Sequence, residues 1–267
     1  MKKIFLTGAS SGIGLAIATE LTARGHEVWG TSRDRERVPK LARLHAVALD
    51  LSDEQSIHEA FHTAFTEAGQ LDVVINNAGA GQFGAAESLP VGELRKQFQV
   101  LVFGQIQLVQ LALAEMRRRD MGLIINVTSL AARIPVPYMA CYNAAKAAVA
   151  VWTMSLQLEL AGSGVRLVDL QPADIATSFN NAVLKTHAAD SASAPQIART
   201  WSIVEQNVKN APPPEIVARA VARLIEAPGP PPRLAVGDFF QASIAPMLAR
   251  FLPQRLQLWG IGTYYRL

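Results

Sequence analysis

The chain has 267 residues, 50% hydrophobic and 18% charged, with a formal net charge of +3. Such a composition excludes disorder, and the length suits one domain of the larger α/β kind. The lone Cys141 excludes an internal disulfide or a cysteine-based zinc site, and no Lys/Arg block marks a nucleic-acid partner.

Met1-Lys2-Lys3 precedes only three apolar residues, too few for a secretory leader. No run of about 18 apolar residues reads as a membrane span, so a cytoplasmic protein is expected. Lys3 to Thr7 reads as a buried strand and Ile13 to Arg24 as a helix, closed by Gly25. Strands follow at Glu27–Thr31 and Ala46–Leu49. Ser52 is the expected N-cap of a helix to about Ala68, with Gln55 completing a capping box. Asp72–Asn76 is a strand, Val91–Arg119 one long helix, Gly122–Val127 a strand and Ala140–Ala161 a second long helix. Val165–Leu170 and Leu234–Val236 are the last strands, separated by a helix over Pro214–Ala227.

Continuous Val/Ile/Leu runs mark strands covered on both faces, and their alternation with helices predicts a parallel sheet. The expected fold is a single-domain, doubly wound, mostly parallel seven-stranded sheet with helices on both faces. Residues 1–237 form its body, including a long segment 173–213, and residues 238–267 an aromatic tail of the same domain. Segment 173–213 exceeds an ordinary connection of about 2–6 residues, which marks it as a functional loop or helical lid. Phe179, Val183, Leu184, Ile197, Trp201, Ile203 and Val204 supply apolar surface there, and Phe179 and Trp201 are its candidate substrate contacts.

Thr7-Gly8-Ala9-Ser10-Ser11-Gly12-Ile13-Gly14 joins the first strand to the first helix. Glycines there allow a tight turn and let backbone N–H groups and the helix dipole meet a pyrophosphate. Chance alone would place three such glycines in ~0.1 chains of this length, so the strand–turn–helix context carries the reading. Asn76-Asn77-Ala78-Gly79 ends the fourth strand, and Tyr142-Asn143-Ala144-Ala145-Lys146 lies early in the second long helix. Ser129 precedes Tyr142 by 13 residues.

Together these motifs resemble the short-chain dehydrogenase/reductase family over nearly the whole chain, which implies a Rossmann-type fold. The resemblance implies catalytic roles for Ser129, Tyr142 and Lys146. It implies cofactor contacts at Gly8, Ser10, Ser11, Gly12, Ile13, Gly14, Asn77, Ala78 and Gly79. Asp50-Leu51 matches the family's adenine-side position, and Pro172, Ile175 and Thr177 fall in its Pro-Gly-x-x-x-Thr segment, with Ala173 for the glycine. Lys146 would also hold the nicotinamide ribose. The family's helix asparagine, whose turn holds a relay water, is replaced by Leu101, so the expectation is a working triad with an altered relay.

Tyr142 and Lys146 are i and i+4 on one helix. A phenol titrates near 10, and an ammonium beside it is expected to lower that value. Tyr142 would then exchange a proton with a carbonyl or alcohol oxygen. After the second strand, Ser32 stands where an acid would select NAD, and Arg33 suits a 2′-phosphate. Asp34 follows. NADP(H) is therefore the expected cofactor, with NAD(H) possible in principle, and the substrate a small apolar carbonyl or alcohol. The alternative is a catalytically weak or inactive NADP(H)-binding interaction protein.

Other signals weigh less. His58 and His62 are the one close pair among five histidines, and no metal site is expected. Asn126-Val127-Thr128 is a glycosylation triplet inside a predicted buried strand. In the tail, Ile244, Met247, Leu248, Phe251 and Leu252 share a helical face, and the tail resembles that of the hydroxysteroid- and retinol-dehydrogenase-like branch. Three readings stand: a helix packed on its own domain or a partner subunit in a homo-oligomer, a substrate lid, or a membrane-surface contact aided by Arg250, Arg255 and Arg266.

Overall fold

The computed structural model describes residues 1–185 and 193–267. Residues 186–192 of the expected substrate segment, including His187, lie outside the described residues. Nine strands are present among the described residues: β1 Lys3–Leu6, β2 Glu27–Ser32, β3 Leu44–Ala48, β4 Val73–Asn76, β5 Gln82–Phe83, β6 Gly122–Val127, β7 Val165–Pro172, β8 Leu184–Lys185 and β9 Arg233–Val236. Seven form one sheet in the order β3-β2-β1-β4-β6-β7-β9, with every pairing parallel. The short β5 and β8 pair apart from it and were not expected.

Around the sheet lie α1 Gly12–Ala23, α2 Glu54–Ala68, α3 Val91–Phe98, α4 Gly104–Arg118, α5 Ala140–Glu159, α6 Ala194–Asn210 and α7 Glu215–Glu226. The tail folds as α8 Ala245–Phe251 and α9 Gln254–Tyr265. Side chains alternate across β1. Ile4 and Leu6 face α1 and α7, joining Ile17, Leu21, Val217 and Val221. Phe5 faces the other layer, with Ile57 and Phe61 of α2, Leu108 of α4 and Leu156 of α5. Each such fully buried side chain contributes about 1.5–3 kcal/mol by leaving water. The chain runs outward from β1 to β3, then crosses to β4, so the order reverses between β1 and β4. Ligands of open α/β sheets bind at that crevice.

Three local expectations change. The long helix is broken by a π-helical turn at Gln99–Phe103, between α3 and α4. Val91–Arg118 is apolar enough by length to span a bilayer, yet Leu101, Leu108, Val109, Leu113 and Met116 are buried in the protein. Ser52 does not cap α2. Asp53 does, its Oδ1 accepting from Gln55 N at 2.9 Å, while the Ser52 hydroxyl donates to the Asp50 carboxylate at 2.6 Å. For a helix N–H, the charged carboxylate of Asp53 is a stronger acceptor than a neutral serine hydroxyl. Segment 173–213 contains the 17-residue α6, longer than a simple loop.

Asn126 is fully buried in β6. It accepts from Asn76 Nδ2 at 2.9 Å and donates to Thr153 Oγ1 at 2.8 Å, tying β4, β6 and α5 together beneath the strand ends.

At the exits of β7 and β9, Pro172 pairs with Val236, and Ala173 N donates to Val236 O at 2.8 Å. A Cβ on Gly237 would lie 2.6 Å from the Ala173 Cβ. The methyl that replaces the family's glycine at 173 therefore occupies space that Gly237 leaves open. Gly237→Ala is expected to destabilise the protein by about 1–3 kcal/mol through overpacking. Ala173→Gly in the same chain should restore most of that loss. Urea midpoints of the two single variants and the double variant measure the coupling.

Candidate active site

Thr7 at the end of β1 starts the site. Its Oγ1 accepts from both Asn77 N and Ala78 N at 2.9 Å, which joins the ends of β1 and β4. Asn77 Nδ2 donates back to Thr7 O at 3.0 Å and Gly8 O at 3.3 Å. Gly8 and Gly12 have φ of +73° and +54°, the left-handed region that favours glycine. A Cβ on Gly14 would lie 1.9 Å from Gly8 O. The loop therefore folds back onto the first turn of α1 and presents that helix N-terminus to the cleft. Thr7 was not anticipated; its position directly before the glycines was the available signal.

One cleft of about 1230 Å³ runs across the carboxyl ends of the strands. Gly8, Ser10, Ser11, Gly12, Ile13 and Gly14 line it, as do Arg33, Asp50, Leu51, Asn77, Ala78 and Gly79. Ser129, Tyr142, Lys146, Pro172, Ile175, Thr177 and Phe179 line the same space. Trp201 does not. Its ring is buried 4.7 Å from that of Phe83, with Lys185 Nζ 4.0 Å above it, so it packs beneath the cleft rather than in it. The contact role expected for Trp201 is thus corrected to one of support.

Asp34, the ambiguous acid after β2, is engaged elsewhere. Its carboxylate caps the short turn Arg35–Arg37 by accepting from Glu36 N at 3.0 Å. Arg33 and Arg37 line the cleft instead. Arg37 was missed because it lies beyond the usual reading window, on a turn that brings it back. The Asp50 carboxyl is held below its ordinary value by the Ser52 hydroxyl, with help from the Ser52 N–H and the Arg33 charge.

Ser129 follows β6, and its Oγ accepts from Ala131 N at 3.1 Å, which orients the hydroxyl. Its side chain stands beside the Tyr142 hydroxyl. Lys146 Nζ donates to Val127 O at 2.8 Å and lies 5.9 Å from the centre of the Tyr142 ring. Burial pushes the Tyr142 phenol up to about 12, with the Ser129 hydroxyl pulling the other way. Burial brings Lys146 down to about 8, opposed by Asp169. The expectation that the ammonium lowers the phenol is therefore corrected: losing water penalises the charged form, so the phenol rises, and the opposing influence comes from Ser129.

Asp169 was also unanticipated. It is buried in β7, with Thr128 Oγ1 and Gln171 Nε2 donating to it and Arg233 Nε at 2.8 Å. A carboxylate inside the apolar run Val165–Leu170 was the signal, since buried charges are retained only with partners. Leu101 lies within the π-helical turn, fully buried with Val102, Ala145 and Val149 and against Tyr142. The turn therefore persists without an asparagine.

The tail closes one side of the cleft. Leu248, Leu252, Leu256 and Ile261 line it. Gln241 donates from Nε2 to Asp174 Oδ2 at 2.6 Å and accepts from Asp174 N at 3.2 Å, while Tyr264 donates to Asn207 of α6 at 3.0 Å.

Comparison with known proteins agrees with this geometry. Residues 2–188 match the short chain dehydrogenase family. The chain is 30% identical over 264 residues to a 3-ketodihydrosphingosine reductase of Bacteroides thetaiotaomicron, covering 98% of this chain and 97% of that one. A crystal structure of a short-chain dehydrogenase from Streptomyces avermitilis superposes with a TM-score of 0.83 at 29% identity, over 99% of this chain and 97% of that one. An alcohol dehydrogenase from Thermococcus sibiricus, complexed with 5-hydroxy-NADP, gives 0.75 at 25% identity, over 90% and 97%. Fold, glycine loop and the Ser129–Tyr142–Lys146 set lead to one conclusion: the chain belongs to the short-chain dehydrogenase/reductase family of nicotinamide-dependent oxidoreductases.

Proposed function

We propose that the protein is an NADPH-dependent reductase of long-chain, apolar ketones, with Tyr142 as proton donor. One observation carries this reading. Tyr142 sits in a single cleft that has a glycine loop and arginines among its walls and an apolar helical tail closing one side.

The cofactor fit rests on the glycine cradle, whose turn a Cβ at Gly14 would break by striking Gly8 O, and on the continuous space from it to Tyr142. The Gly8–Gly14 backbone and the α1 N-terminus would hold the pyrophosphate. Asp50 and Leu51 would bound the adenine, Asn77 to Gly79 the ribose side, and Pro172, Ile175 and Thr177 the nicotinamide. Arg33, supported by Arg37, would pair with the 2′-phosphate, because Asp34 is turned to its own cap and offers no acid to a ribose hydroxyl. When bound, the nicotinamide supplies the hydride.

The remaining steps belong to this chain. Ser129 donates a hydrogen bond to the substrate oxygen. Tyr142, protonated at neutral pH, gives that oxygen its proton. Lys146, charged below about pH 8, stabilises the phenolate left behind and binds the ribose. Phe179, 5.8 Å from the Tyr142 ring, and the tail exclude water from the reacting atoms. A phenol held in its acid form favours reduction over oxidation at neutral pH. The long apolar wall made by α8 and α9 suits an alkyl chain, and the relative named for 3-ketodihydrosphingosine reduces a ketone of that kind.

Tyr142→Phe is expected to lower kcat at least ~10²-fold while NADPH affinity, read by fluorescence titration, stays within a few-fold. Across ketones of increasing chain length, kcat/KM should rise up to about fourfold per methylene, from ~0.8 kcal/mol of burial each. A flat series would remove the long-chain assignment.

Reduction should weaken as pH rises through about 8, where Lys146 loses its proton, whereas the phenol remains loaded. A profile level to pH 10 would contradict that role. Arg33→Asp should raise KM for NADPH and narrow its advantage over NADH, by removing one phosphate partner and adding a repelling carboxylate. Paired kinetics with the two cofactors measure the change.

A further inference from the structure

Helices α8 and α9 carry apolar residues on two faces. On α8, Ala245, Leu248, Ala249 and the following Leu252 are spaced i, i+3, i+4, i+7 and line the cleft. Met247, Arg250 and Phe251 form a second i, i+3, i+4 set that is exposed. The pattern repeats on α9. Gln257, Gly260, Ile261 and Tyr264 line the cleft, while Arg255, Leu258 and Trp259 are exposed. A surface helix of a globular domain normally puts polar residues on its outer side. Here Phe239, Phe251 and Trp259 are 77%, 74% and 71% exposed.

The charges on this segment are one-sided. Residues 238–267 hold Arg250, Arg255 and Arg266 and a single acid, Asp238, which lines the cleft. The three arginines are exposed and form no ion pair among the described residues.

We propose that this outer face docks on an anionic lipid bilayer. Phe239, Met247, Phe251, Leu258 and Trp259 enter the acyl boundary, and the arginines sit among the phosphate headgroups. A second copy of the chain fits less well. A two-fold dimer lays the same patch on itself, and this patch would set three arginines of each copy against those of the other, with Asp238 as the one acid of the segment to pair them. Leu248, Leu252 and Leu256 are both cleft-lining and 36–50% exposed, so the docked face adjoins the cleft mouth. An apolar ketone dissolved in the bilayer then reaches Tyr142 without crossing bulk water. That consequence rests on the reductase reading above; the docking itself does not.

The test is flotation of the full chain with vesicles of phosphatidylcholine, with and without phosphatidylglycerol, alongside intrinsic fluorescence. Trp259 is the exposed tryptophan, Trp29 and Trp201 being buried and Trp152 half-buried. Flotation is expected with the anionic vesicles, with a blue shift, and should be reversed by high salt. Arg250→Glu and Arg255→Glu should each weaken vesicle affinity at least about fivefold. Phe251→Ser with Trp259→Ser should abolish flotation while leaving reduction of a short, water-soluble ketone unchanged, which also reports an intact fold. The proposal is overturned by no flotation at low salt, by flotation indifferent to these substitutions, or by a dimer in sedimentation that the serine variants dissociate. Absence of flotation by the unaltered chain, with ketone turnover intact, removes the docking alone. Flotation without any NADPH-dependent turnover removes the reductase reading and supports the docking.

Discussion

The close approach of Gly14 to the carbonyl of Gly8 governs the rest of the molecule. No side chain fits between them, and a Cβ would sit 1.9 Å from that oxygen. Asn77 holds the arrangement from β4 by donating to Thr7 O and Gly8 O, and Thr7 answers by accepting from Asn77 and Ala78. These bonds lock the ends of β1 and β4 at the place where the strand order reverses. The N-terminus of α1 is thereby aimed into the crevice, where its unpaired N–H groups and dipole favour an anion.

Beyond the crevice, burial sets the chemistry. Tyr142 and Lys146 line the inner end of the cleft, where the charged form of each is penalised, so the phenol rises and the ammonium falls. The fully buried Asp169 limits the fall at Lys146 through its negative charge, and Arg233 in turn partners Asp169. Arg233 opens β9, the last strand of the sheet, so the far edge of the fold is electrostatically coupled to the reacting end of α5. The buried Asn76–Asn126–Thr153 chain ties β4, β6 and α5 through hydrogen bonds. A polar network at this depth holds a site rigid only when its members find partners.

The tail answers to two different solvents. Its inner face completes an apolar wall for the cleft, anchored by Gln241 on Asp174 and Tyr264 on Asn207. Its outer face is apolar and cationic with no cover among the described residues. The single stripe expected over Ile244, Met247, Leu248, Phe251 and Leu252 splits accordingly: Leu248 and Leu252 reach the cleft, and Met247 and Phe251 point away from it. A π-helical turn at Phe240–Ile244 precedes α8, and one extra residue in a turn rotates all that follows relative to an ideal helix.

The strands, their parallel order and the motif residues were legible in the sequence because each is a local pattern. Apolar runs specify buried strands, and the glycine spacing specifies a turn that larger side chains would obstruct. Ser129, Tyr142 and Lys146 could be named for the same reason, two of them being one helical turn apart. What the sequence left open depended on distant neighbours. Whether Asp34 or Arg33 faces the cleft turned on a cap bond to Glu36, and whether Ser52 or Asp53 caps α2 turned on which side chain meets the Gln55 N–H. Trp201 reads as a substrate contact until Phe83 and Lys185, remote in sequence, enclose its ring. The titration of Tyr142 followed the same rule: adjacency to Lys146 is written in the sequence, whereas the desolvation that raises the phenol arises only when the sheet, α5 and the loops above them are packed together.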